Sequence, residues 1–211
     1  MKTAALILAA GLGKRMKSAT PKVLHPVLGR PMVCYVVDAV RGLSPRKIVI
    51  VVNSGSDPVR GAVGEDGIEY AVQSEQLGTG HAANSARKIL GKFRGNILVL
   101  NGDYPLITRG TLKRFLKAHE TGGSDLSVLT ASVQDPSGYG RIIRDSAGLV
   151  VGIVEHGDAD SGQRKINEIN SGTYCVKSEF LWKALSRLKN TNAQGEYYLT
   201  DLVKIAASQK L

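Results

Sequence analysis

Residues 3–8, 47–53, 68–73 and 96–100 are short strand-like runs with apolar side chains on both faces. That pattern predicts buried parallel strands, because a strand covered on one side only would alternate. Helical periodicity fills the intervals. It predicts helices over 32–41, with Pro31 suited to a first helical position, over 81–90 after a Gly-Thr-Gly turn, and over 110–119 with Thr108 as cap. Strands alternating with helices imply an α/β fold, a Rossmann-like doubly wound sheet. Such sheets bind ligands beyond the carboxyl ends of their strands, where strand order reverses.

After residue 124 the rhythm changes. Residues 125–133, 140–144 and 149–154 read as consecutive strands, the last two joined by a turn at 145–148. A strand at 173–177 then precedes helices over 178–188 and 193–208. No internal repeat or low-complexity linker interrupts the chain. The expectation is therefore one domain, 1–211, in which a mixed sheet joins a half 1–123 to a smaller β-rich lobe 124–211 across a shared cleft.

Composition narrows the class without identifying the chemistry. With 211 residues, 43% apolar and 22% charged, the chain can bury a full core and is neither disordered nor fibrous. It has no apolar run of bilayer length and no signal-peptide layout at its start, so the expectation is a cytoplasmic protein without a membrane partner. Cys34 and Cys175 lie in separate apolar runs and read as reduced core residues. The net charge of +10 raises nucleic acid as a partner. However, the Lys and Arg residues are scattered and few aromatics are available for base stacking, so no nucleic-acid partner is expected.

The candidate chemistry begins at Leu6, in "LILAAGLGKRM", where a strand runs into two glycines, Lys14 and Arg15. Bare backbone and cations at a turn favour a phosphate. Met16 stands where a dinucleotide fingerprint needs its third glycine, and the segment lacks the spacing and hydroxyl of a P-loop. A plain strand-to-helix turn remains the alternative. Lys22 follows in "TPKVLHP", "VQSEQLGTGHA" ends a strand in polar residues and glycines, and "LNGDYPL" carries Asp103 off a buried strand. A carboxylate there suits a hard cation such as magnesium, or it serves an Asx turn. Glu155 reads equally as the partner of a surface lysine, Asn170 as a turn residue, Gln73 as a solvent-facing strand end, and Tyr197 and Tyr198 as core aromatics. His25, His81, His119 and His156 show no ligand spacing.

Taken together, "LAAGLGKRM…PKVLH", "QSEQLGTGHA", "NGDYPLI", "GYGRI", "GIVEH", "INEINSGTY" and "NAQGEYYLTD" resemble, in order and up to Asp201, the uridyltransferase domain of the bacterial N-acetylglucosamine-1-phosphate uridyltransferase family. The resemblance implies a nucleotidyltransferase-type sheet with a nucleotide-binding half 1–123 and a sugar-binding half 124–211. Its implied reaction joins UTP to N-acetylglucosamine 1-phosphate with Mg2+ and releases pyrophosphate. Other sugar 1-phosphates, or UDP-sugar binding with little turnover, are the alternatives. Backbone at Leu8, Ala9, Ala10 and Gly11 is implied to meet the nucleotide, while Arg15 and Lys22 steady the shifting charge. Gln73, Gly78 and Thr79 are implied to read the uracil edge and ribose, and Asp103, beside Asn101 and Gly102, to hold the metal. Gly140, Glu155 and Asn170 are implied to grip the sugar, with Tyr197 and Thr200 near sugar or phosphates. Two departures stand out: Gly157 replaces a lysine usual in the family, and neither the second metal ligand, an Asn beyond the last helix, nor a left-handed β-helix acetyltransferase region is in the sequence. A piece of a longer chain or a short relative, weakened magnesium binding and a monomer are therefore expected.

Overall fold

The computed structural model of the chain describes residues 2–11, 13, 16–18, 20–55 and 57–209. Strand β1 (Thr3–Leu8) is followed by a small ladder of β2 (Pro26–Val27) and β3 (Arg30–Pro31), then α1 (Met32–Arg41), β4 (Lys47–Asn53), α2 (Asp57–Val63) and β5 (Ile68–Gln73). Next come α3 (Thr79–Ser85), α4 (Arg87–Leu90), β6 (Asn96–Asn101) and α5 (Arg109–Gly122). The remaining elements are β7 (Leu126–Ser132), β8 (Arg141–Arg144), β9 (Val150–Val154), β10 (Glu168–Lys177), α6 (Ser178–Leu185) and α7 (Asp201–Ser208).

The main sheet runs in the order β5-β4-β1-β6-β10-β8-β9, with β7 also paired to β10. The first four strands are parallel, and β10 enters antiparallel to β6. Alternate residues of each central strand feed two cores. Ala4, Leu6, Val49, Val51, Ile97 and Val99 face α3, α4, α6 and α7, whereas Ala5, Ile7, Ile48, Ile50, Leu98 and Leu100 face α1, α2 and α5. Being apolar on both faces is thus the condition for a strand with helices on either side. Strand β5 is the edge and shows it, since Glu69 and Val72 are exposed.

One edge of β10 carries two neighbours. Near its end, residues 174–177 pair with β6, while at its start Ile169 pairs with Arg141 of β8. Between them the register shifts, from Asn170 to Thr173. The irregularity lies beside Asn101, the last residue of β6, and opens the sheet where the cleft forms.

Several predicted elements move. The helix expected over 193–208 begins only at Asp201, because the preceding residues lie against the loop before α3: Tyr197 N–H donates to Leu77 O at 2.8 Å and Gly80 N–H to Tyr197 O at 2.7 Å. The single helix expected over 81–90 starts earlier and is two, α3 and α4, divided at Ala86. The last strand is twice as long as expected, starting at Glu168, and α6 stops at Leu185. Helix α5 does use Thr108 as its cap, the hydroxyl accepting from Thr111 N–H at 3.1 Å.

A candidate active site along the strand ends

A cleft of about 830 Å³ runs from the end of β1, past the ends of β6 and β5, to β8, β9 and the start of β10. At its first end Leu8, Ala10 and Gly11 form the floor. Ala9 does not: its side chain is buried in the opposite core and its N–H donates to Val51 O at 2.8 Å. Gly13 has φ of +62°, and a Cβ there would sit 2.8 Å from the Cβ of Lys22, so glycine lets the loop fold back over the segment that delivers this lysine. Lys14 and Arg15 lie outside the described residues.

The Lys22 ammonium forms an ion pair with the Asp103 carboxylate across the cleft mouth, the lysine half exposed and the aspartate mostly covered. Gly102, between Asn101 and Asp103, is turned inward and donates its N–H to Leu8 O at 2.8 Å, which ties the end of β6 to the end of β1. Asn101 reaches the other way, so close over Gly172 (φ +75°) that any Cβ there would collide with its amide. Next to Asp103, burial pushes the Tyr104 phenol up to about 12, reinforced by the charge of Asp103 and by Tyr139 and partly offset by Asn101. It is therefore a neutral hydroxyl at physiological pH.

A second group comes from β5 and the turn after it. Gln73 is buried, and its amide nitrogen donates to Gly78 O and meets His81 Nδ1, both at 3.1 Å. With both amide hydrogens committed, the carbonyl oxygen is the end left to accept from a ligand. The Thr79 hydroxyl accepts from Leu199 N–H at 3.0 Å, joining this turn to the segment before α7.

The third wall belongs to the later half of the chain. A Cβ at Gly140 would lie 3.4 Å from both carboxylate oxygens of Glu155, so the two residues form one surface. Burial pushes the Glu155 carboxyl above the usual range, the Thr200 hydroxyl partly offsets this, and Asp158, Asp201 and Glu196 reinforce it. Asn170 is held at both ends: its amide donates to Tyr174 OH at 2.8 Å and its carbonyl accepts from Gly172 N–H at 2.9 Å. Burial drives the Tyr174 and Tyr198 phenols upward too, so both stay protonated.

Of the residues singled out in the sequence, Leu8, Ala10, Gly11, Lys22, Gln73, Gly78, Thr79, Asn101, Asp103, Gly140, Glu155, Asn170 and Thr200 line this single cleft. Ala9 and Gly102 lie behind it. Tyr197 does not line it; its neighbour Tyr198 does, as do Leu199 and Thr200 after it. Gln76, Tyr104, Tyr139, His156, Tyr174, Gln194 and Glu196 are further lining residues. Tyr104 and Tyr139 adjoin Asp103 and Gly140, a signal that was present in the sequence. Tyr174 needed the β10 register to be seen.

A ladder of parallel strands with a polar cleft across its carboxyl ends and an antiparallel extension defines a nucleotidyltransferase-type α/β domain. The chain belongs to the family of the MobA-like NTP transferase domain, whose model matches residues 5–199. The bifunctional protein GlmU of Brevibacillus brevis is 51% identical over 201 residues, which are 95% of this chain and 43% of that protein. GlmU of Bacillus licheniformis is 48% identical over 205 residues, 97% of this chain and 45% of that protein. The chain thus spans less than half the length of these curated relatives. A solved UDP-glucose pyrophosphorylase complexed with UDP-glucose shares the fold, with a TM-score of 0.78 at 19% identity over 99% of this chain and 88% of that one.

Proposed function

We propose that the chain transfers a uridylyl group from UTP to N-acetylglucosamine 1-phosphate, giving UDP-N-acetylglucosamine and pyrophosphate. The observation that carries this reading is the continuity of the cleft, in which the glycine loop, the Lys22–Asp103 pair and the Gly140–Glu155–Asn170 wall face a common space. The relatives named above supply the prior for the substrates. Backbone at Ala10 and Gly11 and the Gln73 carbonyl would hold the nucleotide, the latter accepting from uracil N3–H. Glu155 and Asn170 would hold the sugar through its hydroxyls and acetamido group.

The chemistry asks little acid–base work of the protein. A phosphate oxygen of the sugar phosphate, already anionic, forms the new bond to the UTP α-phosphorus as the bond to the β-phosphate oxygen breaks and pyrophosphate leaves; no proton need be removed. The difficulty is holding two polyanions together in line. The lining makes this harder, since Asp103, Glu155 and Glu196 outnumber Lys22, the one ammonium among the described lining residues. Magnesium fits this donor set: it favours one or two carboxylates completed by phosphates and water, and no cluster of three or more metal-binding side chains occurs among the described residues. Asp103 would hold it, and the bound ion would neutralise phosphate charge. Lys22, relieved of Asp103, would turn its ammonium to the same phosphates.

A coupled pyrophosphate-release assay with Mg2+, run over four nucleoside triphosphates and several sugar 1-phosphates, tests the reading. Expected is preferred turnover of UTP with N-acetylglucosamine 1-phosphate, lost in Asp103→Ala. Calorimetric binding of UDP-N-acetylglucosamine without turnover of any pair would replace the transferase reading with a binding module.

A further inference from the structure

Arg141 is 1% exposed at the start of β8. Its guanidinium is held by neutral partners: it donates to the Tyr139 carbonyl, to the Arg164 carbonyl at 3.3 Å and to His156 Nδ1 at 3.4 Å. Burying a cation costs several kcal/mol before any compensation. An arginine kept there without an acid in its hydrogen-bonding shell therefore needs a reason beyond filling space. Two of its three partners, Tyr139 and His156, belong to the cleft wall.

A guanidinium only donates, so His156 Nδ1 must be the ring's lone-pair nitrogen and its proton must sit on Nε2. Nε2 lies on the side of the ring away from Arg141. The neighbouring Glu155 carboxylate satisfies a ligand's hydroxyls when ionised, yet it only accepts and so repels an oxygen that only accepts. A sugar 1-phosphate carries such oxygens on its phosphoryl group and, when N-acetylated, on its amide carbonyl. A neutral N–H donor in this wall supplies what Glu155 cannot.

We infer that Arg141 is a positioning residue that locks His156 as the Nε2–H tautomer, and that His156 uses this hydrogen to bind an acceptor-only oxygen of the sugar phosphate. The inference rests on the function proposed above, with the sugar phosphate lying against Gly140 and Glu155. It adds a donor that neither the histidine's spacing nor its residue type disclosed, and it gives the buried arginine a task.

Two measurements test it on the intact chain. Long-range 1H–15N correlation of the histidines, with His156 assigned by its loss in His156→Gln, should show the Nε2–H tautomer in the wild type and a tautomer mixture in Arg141→Met. A wild-type Nδ1–H tautomer overturns the proposal. In kinetics, His156→Leu should raise KM for N-acetylglucosamine 1-phosphate about tenfold, the worth of one good hydrogen bond, and KM for UTP less than about twofold. His156→Gln should recover most of the loss through its amide N–H. An equal rise with glucose 1-phosphate assigns the bond to the phosphoryl group, and a rise confined to the N-acetylated substrate assigns it to the amide carbonyl; an unchanged KM overturns the proposal. Should Arg141→Met fail to fold, the wild-type spectrum and the two His156 variants decide alone. Absence of turnover with every sugar phosphate would remove the function reading instead, while the spectrum still reports the tautomer.

Discussion

Asp103 combines a structural contact and a chemical candidacy, and these separate on substitution. Its ion pair with Lys22 involves a lysine 41% exposed, so the pair is screened and contributes little to folding. Asp103→Asn should leave the urea midpoint within the equivalent of about 0.5 kcal/mol, yet lower kcat/KM by about a hundredfold or more through lost metal binding. Parallel denaturation and pyrophosphate assays check both halves of that statement. Glu155 gives the opposite pairing. Burial raises its folded-state pKa above the unfolded value, so the stability it contributes is present below the unfolded pKa and lost as pH rises through the folded one. Glu155→Gln should therefore raise Tm near pH 7, with the gain vanishing toward about pH 4, while weakening sugar-phosphate binding about tenfold. Thermal melts across that range, beside KM values, would show it. Asp103 was legible in the sequence because it comes just off a buried strand, whereas Glu155 stood out only through the family resemblance, its own surroundings reading equally as a surface pair. His156 and Arg141 were not legible, since their meaning lies in a contact between β8 and the turn after β9 that no local spacing encodes.

At the scale of elements, the apolar strands were readable because their burial on both faces leaves an uninterrupted apolar run, as in β1, β4 and β6. The late helix was misread for the converse reason. Residues 193–200 carry enough apolar periodicity to look helical, but the chain turns at 193–194 and again at 199–200, and between them the 77–80 turn offers Tyr197 hydrogen-bonding partners. Ala86, with no glycine or proline to mark it, likewise hides the break between α3 and α4. The turn and this segment press closely together at Gly78, whose φ is +100° and whose added Cβ would lie 2.7 Å from Tyr197 O. Gly78→Ala should cost about 2 kcal/mol in urea unfolding and displace the segment bearing Tyr198 and Thr200. The same variant should lose affinity for nucleotide and for sugar phosphate alike, measurable by calorimetry, because the contact borders both walls. Loss of nucleotide affinity alone would mean that the segment is held by something other than this turn.

Across the whole molecule, one apolar cluster gathers Ala4, Val49 and Ala82 from the first half with Ile142, Leu181 and Leu202 from the second. Strand β10 meanwhile hydrogen-bonds along one edge to β6 of the first half and β8 of the second, and along its other edge to β7. A half that shares its core and its central sheet edge with the other has little to hold it when that other half opens. The expected behaviour is a single cooperative transition. Trp182, the one tryptophan of the chain and 6% exposed in α6, reports on the shared core, whereas far-UV circular dichroism reports on the whole sheet. Their urea midpoints should coincide. Because the cleft draws residues from both sides of β10, UTP with Mg2+ at about a hundred times its Kd should stabilise the whole transition by about 2.7 kcal/mol, moving both probes together. If the halves melt separately, the nucleotide will shift one phase and leave the other in place, and the shared core will not be what couples the two walls of the site.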